Sequence, residues 1–339
     1  MAQPFELVAP YAQSRVLITG GLGFIGSTLA RRLVDCGANV TVVDSLIPEY
    51  GGNWFNLSGY ESRVRVNISD VRDRFALEYL IQDQDYLFNL AGQTSHTDSM
   101  TSPEIDLAIN CAAQLSILEC CRKMNPGIRV VFASTRQIYG RPQYLPVDEA
   151  HPLNPVDVNG INKQAGESYH RLYSDVYGIR TTCLRLTNTY GPRMRIKDSR
   201  QTFLGVWMRR IIESRPFEVF GTGEQLRDFN YVDDCVDALM CAGAHDSLVG
   251  GIFNLGSDEV ISLKDLATLL CELAVDAAFQ IVPFPPHRKA IDIGDYFAKF
   301  ELFSSLTGWK PSITLRDGLQ RSLDFYRENA VHYDINKPY

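Results

Sequence analysis

Short apolar runs rich in β-branched residues recur along the chain at Val16–Thr19, Val40–Asp44, Val64–Asn67, Tyr86–Leu90, Val130–Ala133 and Thr182–Leu186. Each is separated from the next by a stretch whose apolar positions fall at helical spacing. Runs that are apolar on both faces suit central parallel strands covered by helices on either side, so the alternation predicts a doubly wound α/β sheet. Past residue 190 the rhythm changes. A polar, Arg-rich stretch at 191–200 leads to a helix-like segment at Phe203–Glu213, a run at Phe217–Phe220 and a turn at Gly221 and Gly223. Ile252–Leu255 reads as one more strand, returning to the main sheet. Ser262–Leu273 reads as a helix, with Ser262 as its cap and Asp265 in its first turn. Pro283, Pro285 and Pro286 mark a rigid loop, and Leu315–Glu328 reads as an amphipathic helix. The pattern predicts a large domain from residues 1–190 plus 231–256, and a smaller mixed α/β lobe from residues 191–230 plus 257–339.

A chain of 339 residues exceeds one average domain, and 45% hydrophobic against 22% charged residues supplies enough apolar material for a substantial core. Wholesale disorder is thereby excluded. Lys+Arg 33 against Asp+Glu 40 gives a net charge of −7, which argues against a general binder of nucleic acid or of anionic membranes, since both need a positive field. A local basic site for a phosphorylated small molecule stays compatible with that balance. No stretch approaches the roughly 20 apolar residues of a membrane span, and the expected location is cytoplasmic. The 8 cysteines show no CxxC and no zinc-ligand spacing, so they are expected to be reduced and mostly buried, and no metal site is expected. A catalytic thiol at Cys183 or Cys235 is the sharper alternative, although the sequence places no base beside either.

The segment after the first strand carries Gly20, Gly23 and Gly26 and runs straight into the helix-like Ser27–Asp35. Gly20 allows a tight turn off the strand, Gly23 lets backbone approach a pyrophosphate, and Gly26 permits close helix–strand packing. The helix amino terminus then offers N–H donors and a favourable dipole. Glycines also serve ordinary turns, but here a second strand follows and ends in Asp44. A carboxylate there accepts hydrogen bonds from both ribose hydroxyls and repels a 2′-phosphate, which favours NAD over NADP; the plainer role for Asp44 is a strand-end turn residue.

With these features the sequence resembles the extended short-chain dehydrogenase/reductase family, in particular its nucleotide-sugar epimerases and dehydratases. The GxxGxxG spacing is that family's form, and the resemblance runs from about residue 15 to Pro311. It implies a Rossmann domain whose cofactor touches Gly20, Gly23, Phe24, Ile25 and Gly26 in the first turn. It further implies adenine contacts from Asp70 and Val71, and a cofactor lining from Leu90, Ala91, Gln93 and Ser134.

The resemblance assigns Thr135, after the fifth strand, as the hydroxyl that hydrogen-bonds the sugar oxygen being oxidised. The family's next landmark is Tyr-x-x-x-Lys, whose i, i+4 spacing puts both side chains on one helix face. The lysine lowers the tyrosine pKa from about 10, so that the phenolate removes the hydroxyl proton as hydride leaves. Here Lys163 is present, but Asn159 stands where the tyrosine should be, and an amide is no base near neutrality. Three replacements are open: Lys163 itself if burial destabilises its ammonium, His96 from the loop after the fourth strand, or a water held by Asn159 and Thr135. The sugar 4,6-dehydratases of the family carry an Asp-Glu pair directly after the threonine, where this chain has Arg136 and Gln137, and Gly92-Gln93 and Ser99-Met100 look more like the epimerase branch. The expectation is an NAD-dependent epimerase of a nucleotide-diphosphate sugar. A dehydratase or dehydrogenase, or an NAD and nucleotide-sugar binding protein without catalysis, are the alternatives.

In the smaller lobe the resemblance implies that Asn188 contacts the sugar diphosphate and that Arg227 grips it, a role suited to a planar fork of donors. Arg288 is expected as a second phosphate contact, and Arg193 and Arg195 as either substrate contacts or a solvated loop. Phe203, Leu204 and Trp207 share one helix face, which either shapes the nucleotide pocket or packs in the core. A homodimer through the helices Glu104–Lys123 and Gly160–Tyr177 is also implied.

Overall fold

A computed structural model describes residues 9–47 and 49–333. The strands, in chain order, are β1 (Arg15–Thr19), β2 (Asn39–Asp44), β3 (Val64–Ile68), β4 (Tyr86–Asn89), β5 (Arg129–Thr135), β6 (Arg180–Leu186), β7 (Asn188–Tyr190), β8 (Phe217–Phe220), β9 (Leu226–Tyr231), β10 (Ile252–Asn254), β11 (Val260–Ser262) and β12 (Phe279–Val282). Seven of them form one parallel sheet in the order β3-β2-β1-β4-β5-β6-β10, the doubly wound Rossmann arrangement.

The apolar runs explain why this sheet is covered on both faces. Successive side chains of a strand point to opposite faces. Val16 and Ile18 accordingly enter one core, with Leu29, Leu33, Val236 and Leu239, while Leu17 and Val43 enter the other, with Ile117, Leu118 and Tyr173. The helices Phe24–Asp35 and Val232–Ala244 supply the first core, and Ala113–Met124 and Val158–Tyr177 the second. At roughly 25 cal/mol per Å² of apolar surface, each such two-sided strand side chain contributes about 1.5–3 kcal/mol.

The expected returning strand is present: β10 pairs with β6 at the sheet edge. Outside the main sheet, β7, β9 and β11 form a three-stranded sheet, and β8 pairs in parallel with β12. The helices Phe203–Ile212, Leu263–Leu273 and Leu315–Asn329 accompany them. Ser262 caps its helix as the sequence predicts, accepting from the Asp265 N–H at 3.0 Å. The Asp234 carboxylate ties this region to the large sheet by accepting from both the N–H and the hydroxyl of Ser312 and from the Ile313 N–H. All 8 cysteines are free. Cys183 and Cys235 are both buried and neither lines the cleft described below, and burial pushes both thiols up, Cys235 to about 12, which is the setting of a packing residue. Among the described residues no helix is long and apolar enough to cross a membrane.

Candidate active site

The chain leaves β1 toward β2 on one side and later enters β4 on the other, so the loops at their carboxyl ends part and leave a crevice. A cleft of about 890 Å³ opens there and extends under the smaller lobe. Phe24, Ile25, Leu90 and Gln93 line it from the β1 and β4 side, Ser134 and Thr135 from β5, and Asn159 and Lys163 from the long helix. His96 lines it too, and Asn188, Arg227 and Arg288 face it from the lobe. Gly20, Gly23, Gly26, Asp44, Asp70, Val71 and Ala91 lie outside the lining of that cleft.

The glycine turn has the construction of a dinucleotide cradle. A Cβ on Gly26 would stand 2.2 Å from the Gly20 carbonyl oxygen, and one on Gly20, whose φ is +71°, would press on Ala91 at 3.0 Å. Around Gly23 the only near atom is the Gly20 oxygen at 3.1 Å, so the space above it is open to a ligand. No side chain caps the helix Phe24–Asp35, which leaves its first N–H groups directed at that space. Asp44 is fixed at the end of β2 by accepting from the Leu22 N–H at 3.0 Å and the Leu46 N–H at 2.9 Å. Burial raises its carboxyl pKa, and these two donors oppose the rise. These residues fit an adenine dinucleotide with a free 2′-hydroxyl. Asp70 forms a two-pronged pair with Arg72, at 2.6 and 2.9 Å, that lowers its pKa, and Val71 packs in the second core.

Lys163 and Asn159 rise from one face of the helix Val158–Tyr177. Asp157 caps that helix, accepting from the Gly160 N–H at 2.7 Å, and Gly178 ends it in the left-handed conformation. The Lys163 ammonium donates to the Ala133 carbonyl at 3.0 Å, and burial lowers its pKa to about 8 against the opposing pull of Asp106. Asn159 spends both amide hydrogens, one on the Gln93 carbonyl at 2.8 Å and one on Asp106 at 3.0 Å. It is therefore left as an acceptor only. Asn162 donates to the other Asp106 oxygen at 2.8 Å. Thr135 lies at the end of β5, its Oγ1 accepting from the Gln137 N–H at 3.2 Å. The Ser134 hydroxyl turns beneath the floor to Glu167 at 2.7 Å, which is itself paired with Arg185, so Ser134 offers the cleft its backbone.

His96 is not in a loop. It opens a short helix, His96–Thr101, capped by Ser95. Its Nδ1 lies 2.9 Å from the Oδ2 of buried Asp157. Burial alone would raise the Asp157 carboxyl, but His96, the Gly160 N–H and Gln137 outweigh it and hold the group below the usual carboxylate range. Gln137 donates to the same carboxylate at 2.8 Å. Nδ1 is the ring nitrogen turned to this acid, at contact distance but without hydrogen-bond geometry, and Nε2 is the ring nitrogen left over.

On the lobe side, Asn188 donates to the Asp228 carbonyl at 3.0 Å and accepts from Arg136 at 2.7 Å. Arg227 is buried, donates to the carbonyls of Leu226 and Gly294, and lies 3.5 Å from Asp292; burial lowers its pKa to about 10. Arg288 donates to Ser199 at 2.7 Å. Neither Arg193 nor Arg195 lines the cleft. Arg193 reaches back to Thr28 at 3.1 Å, and Arg195 pairs with Asp198. Phe203 and Trp207 line the cleft, whereas Leu204 is core alone.

Sequence reasoning missed Asp106, Asp157 and Asn110. Asp157 was findable as an N-cap three residues before Gly160. Asn110 sits in a single π-helical turn, Ala108–Ala112, and donates to the Gln93 carbonyl at 2.8 Å; nothing local in the sequence marks that turn.

Known proteins share this construction. Over 317 residues, 93% of this chain and 99% of the other, the sequence is 31% identical to a protein of Methanocaldococcus jannaschii provisionally named UDP-glucose 4-epimerase. The epimerase Mth375 of Methanothermobacter thermautotrophicus superposes with a TM-score of 0.90 at 25% identity, covering 99% of both chains. The UDP-glucuronic acid 4-epimerase of Bacillus cereus, solved with UDP-glucuronic acid and NAD, superposes with a TM-score of 0.83 at 25% identity over 93% of this chain and 99% of that one. Residues 16–256 match the family described as NAD dependent epimerase/dehydratase, and with the glycine cradle and crevice in place the chain belongs to that family.

Proposed function

We propose that the protein is an epimerase of a nucleotide-diphosphate sugar that works by transient oxidation of a sugar hydroxyl. The observation that carries this is the convergence of Thr135, Lys163 and His96 on one cleft beside the cradle, with Arg227 and Arg288 at its far side. When bound, NAD accepts a hydride from a sugar carbon and returns it. The large domain, residues 1–190 plus 231–256, holds the cofactor through Gly20, Gly23, Phe24, Ile25, Gly26, Asp44, Asp70, Val71, Leu90, Ala91, Gln93 and Ser134. The lobe, residues 191–230 plus 257–339, holds the diphosphate through Arg227 and Arg288, with Asn188 beside it.

Thr135 donates a hydrogen bond to the reacting hydroxyl, and Asn159, an acceptor only, receives one from a hydroxyl or water. His96 Nε2 takes the hydroxyl proton and Asp157 steadies the resulting imidazolium. Lys163, with its pKa near 8, holds the cofactor ribose and exchanges a proton close to neutrality. Elimination is disfavoured, because Arg136 and Gln137 occupy the acid positions of the dehydratases and Gln137 is committed to Asp157. Exposed Ile105 and Leu107, with Ile161, Leu172 and Val176 on the long helix, support a homodimer through this face.

The test is to release and quantify NAD from purified protein, then to supply UDP-, dTDP- and CDP-sugars and follow epimer formation. Bound NAD with conversion of one sugar into its epimer is expected. Absence of both overturns the enzyme reading, and bound NAD without conversion favours the binding protein.

A further inference from the structure

Of the arginines that line the cleft, Arg200 pairs with Asp98 and Asp198, Arg215 with Glu213, and Arg227 contacts Asp292, whereas Arg136, Arg210 and Arg288 form no ion pair among the described residues. Of these three, Arg136 is the one at the end of β5, directly after Thr135. Its Nη2 donates to the Asn188 Oδ1 at 2.7 Å, and its guanidinium carbon stands 5.4 Å from the centre of the Tyr296 ring. Both partners are neutral. Asp157, Asp228 and Asp292 act on it only through space, and no carboxylate among the described residues forms an ion pair with it. A guanidinium has five N–H donors, and a partly dehydrated one with donors unmet is unfavourable until an anion completes it.

Position says which anion. Arg136 follows Thr135 at the end of β5 and lines the cleft, so its charge stands at the sugar end of the site. In the function proposed above, the diphosphate is held by Arg227 and Arg288, which line the same cleft. Tyr296, fully buried in a small cluster with Ile138, Tyr139 and Val147, gives Arg136 a rigid platform. Arg227 is bridged to the same Tyr296 through its backbone, so this part of the cleft is cationic. A planar fork at a fixed angle matches a carboxylate better than a hydroxyl.

Resting on the nucleotide-sugar function above, we propose that Arg136 receives a carboxylate carried by the sugar, so that the substrate is an acidic nucleotide-diphosphate sugar of the uronic acid class.

Titration calorimetry of the NAD-loaded protein with UDP-glucuronic acid, UDP-glucose and UDP tests this. The two sugars differ only in a carboxylate against a hydroxymethyl group. The native protein is expected to bind the uronate at least ten-fold more tightly than the glucose form. Arg136→Met, which keeps the apolar stem over Tyr296, is expected to erase that preference while leaving UDP binding within about two-fold, and Arg136→Lys to restore part of it. Equal binding of both sugars by the native protein overturns the inference and leaves the nucleotide-sugar function standing. Equal weakening of UDP by Arg136→Met also overturns it, by making Arg136 a phosphate contact. Failure of all three ligands to bind overturns the parent function as well.

Discussion

His96, which lines the cleft, and buried Asp157, 61 positions apart in the chain, meet with Nδ1 2.9 Å from Oδ2. Asp157 is also the cap of the helix that carries Lys163, so one carboxylate sets both the imidazole and the lysine. Asp157→Asn keeps the cap, since asparagine and aspartate are equivalent there. It is expected to lower kcat by about 10²–10⁴-fold with little change in KM or bound NAD, the loss typical of a disabled general base. His96→Ala is expected to fall comparably and to recover part of its rate in added imidazole. Unchanged kcat in both variants removes His96 from the mechanism.

Lys163 couples activity to stability. Its folded pKa of about 8 lies below the ordinary lysine value of 10.5, so folding disfavours its proton. The penalty is absent above pH 10.5, grows as pH falls toward 8, and is full below 8. Lys163→Met is expected to abolish turnover yet stabilise the NAD-free protein at pH 7 by roughly 2–3 kcal/mol, at about 1.4 kcal/mol per pKa unit less the lost bond to Ala133. Urea unfolding at pH 7 and pH 9.5 checks this, with the gap narrowing at the higher pH.

The cradle glycines separate two kinds of damage. Gly26→Ala forces a methyl within 2.2 Å of a backbone oxygen and is expected to lose bound NAD and about 1–3 kcal/mol of stability together. Gly23→Ala meets only a contact at 3.1 Å, at an ordinary φ of −75°, and is expected to fold normally while retaining little NAD. Melting temperature and released NAD, measured on both proteins, distinguish these outcomes.

Arg227→Ala is expected to raise KM for a nucleotide sugar at least ten-fold with NAD content unchanged, because its donors serve the lobe side of the cleft. Loss of NAD instead would place Arg227 in the wrong half of the site.

Ile161, Leu172 and Val176 share one exposed helix face. Replacing Leu172 and Val176 together with Glu is expected to convert a dimer to a monomer in sedimentation velocity. A native protein that sediments as a monomer contradicts the proposed interface.

Much of this was legible from local pattern. The two-sided apolar runs gave β1 through β6, and the glycine spacing located the cradle, because strand burial and turn chemistry are short-range properties. What escaped depends on approach across the fold. The Asp157–His96 contact joins a cap to a short helix that reads as a polar loop. The Ser134 hydroxyl is drawn away by Glu167, and Arg193 is drawn to Thr28, by neighbours far off in sequence. Arg136 read merely as the absence of a dehydratase acid, since its lack of a charged partner is visible only once the surrounding side chains are placed.

The clamp of Asp106 on Asn159 and Asn162 bears on what position 159 can hold. A tyrosine at 159 would withdraw one of the two amide donors from the buried Asp106 carboxyl and leave Asn162 to hold it alone. The choice of side chain at 159 is thus tied to the acid at 106, and a change at either position is felt at the other.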